Sequence, residues 1–180
     1  MISKTIAYLY VLLSLLISSQ AIAASKEEID ANVKAALTEL YEHSEAGKIL
    51  SAKASGVLVF PKVIKAGIGV GGEYGEGALL IDGEPVEYYS IASASVGFQL
   101  GAQQKSEIIL FMNDDVLTKF RESEGWEAGV DGSVAIAEIG AGKEISTNTA
   151  KQPIIGFIFS NKGLMYNLTL EGSKMTKIVP

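Results

Sequence analysis

The sequence contains no cysteine, one histidine, one tryptophan and four prolines in 180 residues. Each scarcity closes off a class of chemistry. Without cysteine there is no disulfide, no thiol nucleophile and no acyl-anchored lipoprotein, whose lipids attach to a cysteine directly after the cleavage site. The single histidine, His43, lies in the polar tail of the first amphipathic stretch, where it reads as a solvated or capping residue. A serine nucleophile therefore lacks a base, no Gly-x-Ser-x-Gly elbow is present, and zinc lacks its usual ligands. Positive charge is also short, with 15 Lys and Arg against 21 Asp and Glu and a net charge of −6. Non-specific nucleic-acid binding needs basic side chains to displace counterions from phosphates, so nucleic acid is not an expected partner.

Long apolar stretches are confined to the beginning. Lys4 precedes a run from Thr5 to Ser19 without an ionised side chain, and Ala21-Ile22-Ala23-Ala24 then offers small residues to a signal peptidase. The run is shorter than the roughly 20 residues that span a bilayer. Residues 1–23 are expected to be a cleaved signal peptide and 24–180 a single domain, periplasmic or secreted and not a lipoprotein. Losing Lys4 with the signal leaves 14 basic against 21 acidic side chains and a charge of −7. Any membrane contact must then come from a local patch or from burial.

The domain begins with Ser25-Lys-Glu-Glu28, a capping-box pattern, followed by Ile29, Val33, Leu37 and Leu40 at helical spacing. That apolar face predicts a helix packed on a core or lying on a membrane. Ser44 caps a second short helical stretch through Ile49 and Leu50 to Ala54. From Val57 the period shortens to that of strands: Val57 to Phe60, stopped by Pro61, then Lys65 to Glu76, Ala78 to Ile81, a turn at Asp82-Gly83, Val86 to Ile91, Ser93 to Leu100 and Glu107 to Met112. Asn113 caps a short helix carrying Val116, Leu117 and Phe120. Further strands are expected over Ser133 to Ile139, Pro153 to Phe159, Leu164 to Leu170 after an Asn161-Lys-Gly163 turn, and a last run to Val179. Short strands with internal glycines predict an α+β, β-dominant domain: a curved antiparallel sheet or partly closed barrel with an N-terminal amphipathic helix and a short internal helix.

Candidate chemistry is sparse. Gly67-Ile-Gly69-Val-Gly71-Gly72 satisfies the dinucleotide fingerprint as a string, but strand-type residues follow it where a helix N-terminus has to stand. Carboxylate pairs such as Glu73 with Glu76 and Asp114 with Asp115 offer acid–base chemistry or a calcium site, and each has a structural reading as a turn or a helix start. Asp131-Gly132-Ser133 reads as a turn. No catalytic residue, metal ligand or cofactor is expected. Lys62 and Lys65 beside Pro61, Lys105, and Lys119 with Arg121 are the cations that folding could gather for a phosphate head group.

Together, Gly56-Val-Leu-Val-Phe-Pro-Lys62, the glycine-rich Gly67 to Gly77, Tyr88-Tyr-Ser90, Leu100-Gly-Ala-Gln103, Gly125-Trp126, Gly156-Phe-Ile-Phe159 and Asn161-Lys-Gly-Leu164 resemble the SYLF domain, a lipid-binding module. The resemblance implies a non-enzymatic domain. Eukaryotic relatives bind phosphoinositides and some bundle actin, while bacterial relatives look like stand-alone exported proteins. Export removes actin from the expected partners here. The amphipathic helix that eukaryotic members use at membranes corresponds to a stretch in which Lys26 and Lys34 stand among five acids up to Glu42. The expectation is a lipid-binding envelope protein that docks on phospholipid through the face of Ile29, Val33, Leu37 and Leu40 and the lysines named above. The alternative is an envelope protein that binds a protein partner through the same surfaces.

Overall fold

Two long strands, instead of many short ones, carry the fold. The computed structural model describes residues 24–137, 146–159, 170 and 172–180, and within its strands not the side chains of 67–70 and 95–102. The expected signal segment, the Asn161 turn and the Leu164 run as far as residue 169 lie outside that description. Helix α1 spans Lys26–His43 and α2 spans Glu45–Ser51. Strands β1 (Gly56–Ile81) and β2 (Glu84–Phe111) form one antiparallel hairpin. Helix α3 (Asp114–Glu122), β3 (Trp126–Glu127), β4 (Ala135–Ala137), the single turn α4 (Thr147–Ala150), β5 (Ile154–Phe159) and β6 (Lys174–Ile178) complete the order.

The local signals hold. Ser25 accepts a hydrogen bond from the Glu28 amide at 3.3 Å, the serine half of the expected box, and Ser44 does the same for Gly47 at 2.9 Å. Asn113 caps α3 through Val116 at 3.1 Å. Replacing Ser25 with alanine leaves one helix-end donor without its acceptor, and the expected cost is about 1 kcal/mol in a denaturant titration. At the hairpin tip Asp82 and Gly83 have φ of 53° and 82°. Positive φ at both central residues is the twist-matched turn for a two-residue connection.

The strand breaks expected at Pro61 and at the glycines do not occur. Pro61 sits inside a register shift between Phe60 and Val63, and a second shift lies between Ile68 and Val70. Where the ladder is irregular, a residue without an N–H is tolerated and the strand bends instead of ending. The bend gives β2 two arms with different neighbours. Residues 106–111 pair with β5, whereas 88–92 pair with β6. β4 joins β5 in parallel and β3 joins β6, so the six-stranded sheet runs β3-β6-β2-β5-β4 with β1 on the other side of β2.

β1 curls far enough to meet itself. A Cβ at Gly77 would run into the Val59 carbonyl, and one at Gly75 would stand 2.8 Å from that of Lys62. Both glycines are there because a backbone lies where a side chain would be. The result is a curled half-barrel with helices against it, an α+β fold dominated by strand.

Its two faces bury two cores. Leu58, Phe60, Leu79, Ile109 and Phe111 point inward, with Phe120 of α3 stacked 4.8 Å from Tyr89 and 4.7 Å from Phe111, ring centre to ring centre. Val59, Ala78, Leu80, Ile108 and Leu110 point outward and are covered by α1. Both faces being dry explains why Val57 to Phe60 and Ile108 to Phe111 read as unbroken apolar runs.

Candidate functional site

The apolar face of α1 is not available to a membrane. Ile29, Val33 and Leu40 are buried against the outer face of the sheet and Leu37 is half-buried, which corrects the reading of this stretch as membrane-facing. The outer side of β1, β2 and β5 is itself apolar, and α1 is what keeps it from water. Tyr88 donates a hydrogen bond to Asp30 at 2.8 Å and holds the helix down on its polar flank.

The five candidate cations do not form one patch. Lys62 is exposed and Lys65 half-buried, both on β1 around the Pro61 irregularity. Lys119 and Arg121 lie on α3, and the Arg121 guanidinium is held by both Glu87 oxygens at 3.1 Å. Lys177 at 2.9 Å and the Tyr89 hydroxyl at 2.8 Å complete that cluster, so its charge is largely answered within the fold. Burial pushes the Glu87 carboxyl up, but hydrogen bonds from Arg121, Lys177 and Tyr89 outweigh it and hold the group at about 2. An unfolded glutamate titrates near ~4.3. Ionised Glu87 therefore stabilises the fold above that value, and its contribution is lost as pH falls from there toward 2. Melting curves of the protein and of Glu87→Gln are expected to differ by a few degrees at pH 6 and to converge near pH 2. The size is limited by the half-open setting of Arg121 and Lys177.

Lys105 is a correction of a different kind. Only 4% of its side chain is exposed, and it lies inside the half-barrel, 2.9 Å from Glu73 and 2.6 Å from Glu107. Ser173 adds a hydrogen bond to Glu73 at 3.2 Å. Desolvation works against the Lys105 charge, yet Glu107 and Glu73 more than compensate and hold the ammonium protonated above its usual range. Glu73 is raised by burial, but the bonds and charge of Lys105 with Ser93 and Ser173 bring it below the ordinary value. Burial dominates at Glu107, which is pushed up to about 7 despite Lys105. Its Oε2 has no hydrogen-bond partner among the described residues. This lysine cannot meet a head group while the barrel is closed.

The carboxylate pairs also come apart. Glu73 points into the barrel, whereas Glu76 points out and accepts from the Tyr74 hydroxyl at 2.7 Å. Asp114 and Asp115 occupy the first turn of α3, where the helix dipole favours acids. His43 places Nδ1 2.8 Å from the Glu39 carbonyl at the end of α1. The Asp131 turn forms, with its carboxylate accepting from the Glu127 amide at 2.7 Å.

Two side chains that sequence reasoning passed over remain at the surface near Lys62 and Lys65. Ile64 is 46% exposed and Tyr74 52% exposed, both on β1, which pairs with β2 alone. Both flank the point where Gly75 meets the backbone of Lys62 and Val63. Period-2 alternation alone could not single them out, since which side is open depends on how the strand curls. Lys62 and Ile64, exposed on the face of β1 opposite to buried Val63 and half-buried Lys65, are thus the candidate site, with Tyr74 exposed on the other side of the same bend.

Residues 92–178 match the family model described as "Ysc84: Las17-binding protein actin regulator". The match begins within the first half of β2 and ends with β6, and it agrees with the SYLF resemblance read from the sequence motifs. No curated protein matches the chain.

Proposed function

We propose that this chain, whose residues 92–178 are those of a Ysc84 (SYLF) domain, is a non-enzymatic lipid-binding protein of the cell envelope that docks on anionic phospholipid. The observation that carries this reading is the exposed apolar side chain of Ile64 beside exposed Lys62 on one face of β1, in an otherwise acidic protein. Apolar side chains that enter the head-group layer gain burial, and lysines beside them gain from the negative surface potential. No helix among the described residues is long and apolar enough to cross a membrane. The placement is periplasmic or secreted, after removal of residues 1–23.

Flotation of the protein on vesicles with and without anionic phospholipid tests this. Binding is expected with the anionic lipid and is expected to weaken by roughly fivefold in Lys62→Gln, at about 1 kcal/mol per lysine near the surface. Absence of flotation on every composition overturns it.

The family's description names a protein, Las17, as a binding partner, and this favours a second reading in which the same patch meets a protein. A single stoichiometric partner captured from envelope extract, lost in Ile64→Asn/Tyr74→Ser and accompanied by no lipid association, would establish that reading over the first.

A further inference from the structure

The main-chain nitrogen of Ala24 lies 3.0 Å from Glu76 Oε2, a contact between residues 52 apart in sequence. The other carboxylate oxygen accepts from the Tyr74 hydroxyl at 2.7 Å, so both oxygens of Glu76 are committed. Ala24 also packs against the outer core under α1. We propose that Glu76, oriented by Tyr74, is the receptor for a new chain terminus: the α-ammonium of Ala24, released when the chain is cut after Ala23. The inference builds on the expected cleavage site and is independent of lipid binding.

In the uncut chain the Ala24 nitrogen is an amide with one proton to donate and no charge. Hydrolysis by a signal peptidase adds the oxygen of water to the Ala23 carbonyl carbon, which leaves as a carboxylate. The Ala24 nitrogen takes both protons of that water and becomes an ammonium with three donors. A neutral hydrogen bond is thereby converted into a charge-assisted one of about twice the strength.

The position explains why a carboxylate is needed there. Ala24 immediately precedes Ser25, the N-cap of α1, so its ammonium stands at the positive end of the helix dipole and is repelled by it. Glu76 reaches across from β1 to offset that repulsion. The other charged groups around the helix start are Glu27 and Glu28 in the first turn, and Lys26, which is drawn aside over the Tyr88 ring at 5.8 Å. Tyr88 in turn donates to Asp30, leaving Glu76 as the carboxylate in contact with the terminus. Processing then does more than remove a leader: it fastens the start of α1 to the hairpin it covers.

The test compares the exported protein beginning at Ala24 with the same protein acetylated on its α-amino group, each with and without Glu76→Gln. Intact mass identifies the first residue, and thermal melts at pH 6.5 read the coupling. Ala24 is expected as the first residue. Acetylation is expected to lower Tm by about 2–4 °C in the parent, the shift that one extra charge-assisted bond gives in a domain of this size, and by less than about 1 °C in Glu76→Gln. In an NMR titration the α-ammonium of the parent is expected above the ordinary range of about 7.7–8.0. A mature protein starting at another residue, or an acetylation effect of equal size with and without the Glu76 carboxylate, overturns the proposal.

Discussion

Lys105→Met is expected to destabilise the protein by about 3–5 kcal/mol, because it leaves Glu73 and Glu107 inside the half-barrel with no cation between them. Methionine fills nearly the same volume, so the loss reports charge and not a cavity. The pH dependence supplies the signature. Without the lysine Glu73 is expected to rise above its unfolded value, and Glu107, already raised in the parent, to rise further. A group of that kind stabilises the fold below its unfolded pKa and loses the contribution as pH rises through its folded one. The deficit of Lys105→Met relative to the parent is therefore expected to be larger at pH 8 than at pH 5, as urea titrations at the two values would read. Adding Glu73→Gln and Glu107→Gln removes the uncompensated charges and is expected to recover much of the loss. A deficit that is small and unchanged between the two pH values would mean that the triad is open to water.

Gly77→Ala is expected to cost about 3 kcal/mol or more, at the upper end for over-packed sites. Most intruding methyl groups can displace a side chain, but here the obstacle is the Val59 carbonyl, with the Phe60 ring 2.8 Å away. Relief requires the two arms of β1 to separate, which opens the inner core at Phe60 and Leu79 together. Gly125→Ala is the matched control, since its Cβ would meet the end of the Lys174 side chain at 2.6 Å, a group free to swing aside. That change is expected to stay within about 0.5 kcal/mol. Equal effects of the two substitutions would show that the arms of β1 do not touch.

The features legible in the sequence are those decided by neighbours along the chain. Ser25, Ser44 and Asn113 were readable as caps, and Asp82-Gly83 as a hairpin turn, because each acts on a backbone group within a few residues. Pro61 was misleading for a complementary reason: whether a missing N–H ends a strand depends on the register of its partner, which no local pattern carries. The face of α1 had the right period, but the period is the same whether the cover is lipid or an apolar sheet. Lys105 did leave a trace. Spaced by two from Glu107, and then from Ile109 and Phe111, it belongs to the inward row of β2, and alternation places both charges among core residues. Its second partner, Glu73, comes from the other arm of the hairpin and could not be paired with it before the bend was known. Of the motifs quoted for the SYLF resemblance, those that follow Ala92 lie within the family match.

The strand order has a kinetic corollary. β6 follows every one of its partners in the chain, yet it lies between β3 and the arm of β2 formed by residues 88–92, with Ser90 opposite Thr176. An arm of the sheet thus lacks a neighbour until residues 174–178 arrive, and pairings of such long sequence separation form slowly. The sheet of this topology is therefore expected to close last at its β6 arm, after the β1–β2 hairpin has formed.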